Sequence, residues 1–122
     1  MLEIVPFDSE QVIGLRMAGK LTEDDIQRVV DVAEMKLAAM GEGAKLRVYV
    51  EVESFGGLSF EALIKDLKFG FAHLRDFEKK AIVSDAAWMG RVAALADPLF
   101  PSIHVRHFSL DDRQAARDWV TA

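Results

Sequence analysis

Residues 46–52 alternate without a break: Leu46, Val48, Val50 and Val52 fall on one side of an extended chain, and Arg47, Tyr49 and Glu51 on the other. A period of two specifies a strand with one apolar face. The segment before it has a different period. Ile26, Val29, Val30, Ala33, Leu37 and Met40 recur at helical spacing. Thr22 opens that helix with Asp25 in the capping-box position, and Gly41-Glu42-Gly43 closes it. A helix feeding straight into a strand constrains the fold strongly, because each must bury its apolar side against the other kind of element.

The alternation runs through the chain. Residues 2–5 and 12–18 read as two strands joined by a turn around Asp8-Ser9-Glu10, with Ile13, Leu15 and Met17 on one face and Arg16 on the other. A glycine-bearing connector, Ser54-Phe55-Gly56-Gly57, leads to a helix over 59–74. Ala81-Ile82-Val83 is a short strand, 86–97 a helix built on Trp88, Val92 and Leu95, and 103–108 the last strand. Ser109 caps a final helix with Ala115, Ala116, Trp119 and Val120 on its apolar side. The order ββαβαβαβα predicts an α/β fold, a single domain over 1–122 with a mostly parallel, mixed five-stranded sheet. Because 46–52 alternates cleanly, that strand is expected to be covered mainly on one face, with the helices packed mainly there.

Composition narrows the function. Acidic residues outnumber basic ones, 20 against 15, for a net charge of -5. Nucleic acid and anionic membrane surfaces both require a basic footprint, so neither is expected as the main partner. The chain has no cysteine, which removes thiolate catalysis, disulfides and cysteine metal sites and fits a cytoplasmic location. No apolar run reaches the length of a membrane span, and the first ten residues carry acids and a proline, unlike a signal peptide.

Catalytic signals are poor. Gly57-Leu58-Ser59-Phe60-Glu61 begins like a nucleophile elbow, but Glu61 stands where the last glycine is required, and Ser59 reads better as a helix cap. Gly56-Gly57 lacks the Lys-Ser or Lys-Thr of a phosphate loop. His104 and His107 are three apart on a strand and point to opposite faces, a poor metal pair. Asp85, after a parallel strand, reads as the N-cap of the next helix or as part of a ligand-facing rim with Glu53 and Ser54. No metal, cofactor or enzymatic activity is expected.

The helix over 59–74 is more informative. Phe60, Leu63, Ile64, Leu67, Phe71 and Leu74 form one stripe, while Phe69 lies on the far side between Asp66 and His73. A large aromatic between an acid and a histidine, away from the core stripe, is either a partly exposed side chain or a contact for a ligand or a second subunit. Val32 and Met35 also sit off their helix's stripe, so a homodimer seam with Phe69 is the alternative use. Asp97-Pro98-Leu99-Phe100-Pro101 is held extended by its prolines, and Leu99 and Phe100 either plug the core or form an apolar flap beside Trp88.

Phe55-Gly56-Gly57, Asp66-Leu67-Lys68-Phe69, His73, Phe77-Glu78-Lys79, Ala81-Ile82-Val83-Ser84-Asp85, Trp88, Pro98, Phe108 and Trp119-Val120 together resemble the bacterial SpoIIAA-like family. The resemblance implies a fold similar to STAS domains, the anti-sigma-factor antagonists, and distantly to CRAL-TRIO lipid-binding domains. Such relatives are binding modules rather than enzymes. The first expectation is therefore a non-enzymatic binding protein for a lipid or other small apolar ligand, held by Asp66, Phe69, His73, Trp88, Leu99 and Phe100. The alternative is a regulatory protein–protein interaction module. STAS-type antagonists place a phosphorylatable serine in an Asp-Ser turn after the third strand; here the turn reads Glu53-Ser54-Phe55-Gly56, which puts Ser54 in the comparable place without the family's Asp-Ser-Ser-Gly run.

Overall fold

The computed structural model describes residues 1–53, 76–85 and 103–122. Within them β1 (Leu2–Val5), β2 (Val12–Met17), β3 (Leu46–Val52), β4 (Phe77–Val83) and β5 (His104–Phe108) form one sheet in sequential order. β1 runs antiparallel to β2, and every later pair is parallel. Helix α1 (Glu23–Met40) joins β2 to β3, and α2 (Arg113–Thr121) follows β5 through a 3₁₀ turn at Leu110–Asp112. This is the mixed, mostly parallel five-stranded sheet that the alternation predicts. The helices expected over 59–74 and 86–97 lie outside the described residues, and the expected crowding of helices on one face rests on them. The two described helices divide, one to each face.

On the α1 face, Leu2, Ile13, Leu15, Leu46, Val50, Val52 and Ile82 of the sheet pack with Leu21 and with Ile26, Val30 and Ala33 of the helix. Thr22 accepts from the Asp25 amide and the Asp25 carboxylate accepts from the Thr22 amide, so two orphan donors are satisfied reciprocally. Gly41 ends the helix at a φ of 86°, a backbone conformation in which a side chain would be strained. Val32, expected off the stripe, packs against this core at half-burial, whereas Met35 stays 67% exposed.

The opposite face carries a second, separate core: Val12, Tyr49, Ala81, Val83 and Phe108 under Ala116 and Val120 of α2. β3 is therefore covered on both faces. Tyr49 is 0% exposed and Glu51 2%, although their phase in β3 reads as the solvated one. Ala115, expected on the apolar side of α2, is exposed.

Two local devices seat α2. Phe7, in the β1–β2 turn, folds over Gly14; a Cβ at that glycine would come within 2.6 Å of the Phe7 ring and would also meet the Val5 carbonyl. Phe7 in turn meets the Tyr49 ring at a 60° tilt, with centroids 5.1 Å apart. The second is a bulge in β4: Leu46 pairs with Phe77 but Arg47 with Lys79, leaving Glu78 as the extra residue. Glu78 then reaches Arg47 at 2.7 Å, while the Lys79 ammonium donates to the Trp119 carbonyl at 3.0 Å. Arg47 also donates to the carbonyls of Val120 and Ala122, both at 3.0 Å. Cations thus meet the last carbonyls of α2, which have no partner inside the helix. The bulge also explains why β4 starts earlier than its apolar end, Ala81-Ile82-Val83, suggests.

Candidate functional site

Where the second core meets the C-terminal half of β3 stands a nearly buried carboxylate, Glu51. Parallel register sets Arg16 of β2 beside it, and its Oε2 takes the Arg16 Nε at 3.1 Å. The Tyr49 hydroxyl donates to Oε1 at 2.6 Å from two residues back on the same face of the strand. Arg113, the first residue of α2, places its Nε 3.4 Å from Oε2. Arg16 in addition lies 3.5 Å from Glu3 and 3.6 Å from Glu53.

The electrostatics follow from these contacts. Burial alone raises the Glu51 carboxyl, but hydrogen bonds from Tyr49 and Arg16 and the charges of Arg16 and Arg113 outweigh it and hold the group below the ordinary range. Burial, donation to Glu51 and the Glu51 charge push the Tyr49 hydroxyl well above its ordinary value, with Arg117 opposing. Arg117 lies over both rings, 4.1 Å from Phe7 and 5.5 Å from Tyr49. Both Glu51 oxygens are engaged by donors from three elements. The arrangement works as a fixed charge that ties β2, β3 and α2 together, and it leaves little basicity for proton transfer.

A second region is the edge formed by the C-terminal ends of the parallel strands. Glu53, exposed, donates its amide to the Met17 carbonyl at 3.0 Å. Ser84 donates its amide to the Phe108 carbonyl at 2.9 Å, and His107 Nε2 lies 2.7 Å from the Ser84 carbonyl. A carbonyl only accepts, so that nitrogen carries the proton. Asp85 is exposed and accepts from the Leu110 amide at 2.9 Å. Its observed partner is thus the turn before α2, which fastens the end of β4 to the end of β5. His104 and His107 lie on opposite faces of β5, as their spacing predicts, and among the described residues no group of three or more His, Asp or Glu is placed to hold a metal ion.

Ser54, Asp66, Phe69 and His73 belong to residues 54–75, and Trp88, Leu99 and Phe100 to 86–102; all seven lie outside the described residues. What the described part fixes is where those stretches start. One leaves the sheet after β3 and the other after β4, at the same C-terminal edge, which is where open α/β sheets bind their partners. Sequence reasoning missed the Glu51 group. The available signal was Arg16, Tyr49 and Glu51 in matching polar phases of two strands, and it becomes readable only once β2 and β3 are known to be neighbours.

Sheet order and covering helices define a mixed α/β domain. A SpoIIAA-like family model matches residues 12–121. The chain belongs to the SpoIIAA-like family. It is also similar in fold to an uncharacterized protein of the DUF3478 family with a SpoIIAA-like fold from Shewanella loihica PV-4, with a TM-score of 0.78 at 23% identity over 98% of this chain and 92% of that one. No curated protein matches the sequence. Among the described residues no helix is long and apolar enough to cross a membrane.

Proposed function

We propose that this chain is a non-enzymatic regulatory module that docks a protein partner at the C-terminal edge of its parallel strands. The observation that carries the reading is the shared departure of residues 54–75 and 86–102 from that edge, beside the exposed carboxylates of Glu53 and Asp85. The nearly buried carboxylate, by contrast, is closed in by Tyr49, Arg16 and Arg113, and holds structure rather than substrate. Ser54 follows Glu53 directly and is the switch in this reading. A phosphate there adds a charge of about -1.5 to -2 next to the Glu53 carboxylate and opposes docking through like-charge repulsion and the cost of desolvating it. A cytoplasmic location accompanies it. The test is a pull-down from native lysate of the source cell with Ser54→Ala and Ser54→Asp variants. A stoichiometric protein retained by the first and lost from the second is expected; absence of any stoichiometric partner overturns the reading.

A second reading is carriage of a lipid or other small apolar ligand, favoured by Phe69 standing off its helix's core stripe between Asp66 and His73. Trp88, Leu99 and Phe100 complete the apolar lining in this reading, and burial at roughly 25 cal/mol per Å² supplies the affinity. Native mass spectrometry of protein purified without detergent, compared with an organic extract, tests it. One defined lipid per chain, lost on Phe69→Ser, supports carriage. A ligand-free protein overturns it, and a ligand-free dimer assigns Phe69 to the subunit seam.

A further inference from the structure

We infer that α2 is a releasable strap, a helix that lifts off the sheet as a unit while α1 and the strands stay folded. Two observations carry this. First, among the described residues the sheet separates two apolar clusters with no member in common: the larger joins α1 to one face, and the smaller joins α2 to the other. Release of α2 therefore leaves the larger cluster untouched, which is the condition for a local, cooperative opening rather than global unfolding.

Second, the seam under α2 is rich in charge beside its apolar contacts. Ala116 and Val120 are the buried residues of the helix, and the half-buried Trp119 packs against Phe108 with ring centroids 6.0 Å apart. Polar fastenings run along the helix beside these apolar contacts. Arg113 meets Glu51 at 3.4 Å, Arg117 donates to the Pro6 carbonyl at 3.2 Å, and Arg47 and Lys79 hold the last carbonyls. A nine-residue helix does not hold its shape alone in water, so its helicity depends on being docked. The Arg113 side chain is 47% exposed, which leaves its pairing with Glu51 open to screening by salt. Release takes α2 away from Val12, Tyr49, Ala81, Val83 and Phe108, with the Glu51 carboxylate at the end of that strip.

The experiment is hydrogen exchange with mass spectrometry on the full chain, at low salt and at about 1 M salt, where charges are screened beyond about 3 Å. Peptides covering 110–122 are compared with peptides from α1 and β3, in the native sequence and in Arg113→Gln. The expected result is faster exchange in 110–122, a gap that widens at high salt, and a further acceleration of about fivefold in the variant confined to those peptides. Arg117→Gln, which cuts the contact to the Phe7 turn, should act in the same place. Equal protection of α2 and β3 at both salt concentrations overturns the inference. So does a loss of protection in the variants that spreads evenly over the chain.

Discussion

On the α1 face of the sheet, side chains meet through methyl and methylene groups; on the α2 face a smaller apolar cluster is joined by guanidinium, carboxylate, phenol and backbone carbonyl. Both faces are buried, yet they are held by different physics. Leu46, Val50, Ile13 and Ala33 gain from leaving water and ask only for matching shape. Tyr49 and Glu51 gain nothing from burial unless each polar atom finds a partner, and they find those partners in each other, in β2 and in α2. The first face should answer to volume and the second to charge.

The largest effect is expected where volume decides. Leu46 is 0% exposed in the α1-face core, and Leu46→Ala should cost about 2–5 kcal/mol through lost burial and the cavity left behind. A chemical denaturation midpoint reads this directly. A cost under about 1 kcal/mol would mean that this face repacks freely and that the contrast between the faces is wrong.

Next comes Glu51→Ala, which leaves the buried Tyr49 hydroxyl without its acceptor and two arginines without their shared anion. A loss of about 1–3 kcal/mol near neutral pH is expected. The pH dependence sharpens it. The folded-state value of Glu51 is lowered, so its contribution is present above its unfolded value of about 4.3 and disappears as pH falls through the folded one. The acid limb of a stability-against-pH curve should therefore be flatter in Glu51→Ala than in the native chain. Parallel limbs would show that Glu51 is not held low by its partners.

Tyr49 gives a test at the other end of the scale, and a clean one, because it is the chain's single tyrosine. Its folded-state value is raised, so it contributes stability that is present below an unfolded value of about 10 and is lost as pH rises through the folded one. Tyrosinate absorbance should stay low in the folded protein and rise together with the loss of structure seen by circular dichroism. A simple titration near pH 10 with the fold intact would place the phenol in water and remove the polar anchor of the α2 face.

The two faces also differ in how far they can be read from sequence. Ile26, Val30 and Ala33 on a helix and Leu46, Val50 and Val52 on a strand announce their burial by spacing alone, and Thr22, Asp25 and Gly41 mark the helix ends. The α1 face, the strand order of types and the family were legible for that reason. Glu51 was not. Alternation assigns it to solvent, and what buries it is Arg113, far along the chain, together with Arg16, which comes alongside only through sheet register. Phe7 over Gly14 and the bulge at Glu78 were hidden too, because each depends on a neighbour that spacing does not name. The candidate ligand residues, Phe69 and Trp88 among them, lie outside the described residues and remain readings of the sequence.

The smallest effect is expected at Met35, and it separates two uses of the α1 surface. Val32 and Met35 both leave the helix's apolar stripe and both read from sequence as seam residues, yet Val32 joins the core at half-burial while Met35 is 67% exposed. Only Met35 is available to a second copy of the chain. In a monomer, Met35→Lys changes a side chain already in water, and stability should move by no more than about 0.5 kcal/mol. In a dimer with its seam on this helix, the same change sets a charge against apolar surface, and the mass seen by sedimentation should fall toward one chain as concentration is lowered. An unchanged mass together with unchanged stability leaves the outer side of α1 as solvated surface, and moves any subunit seam to the residues around Phe69.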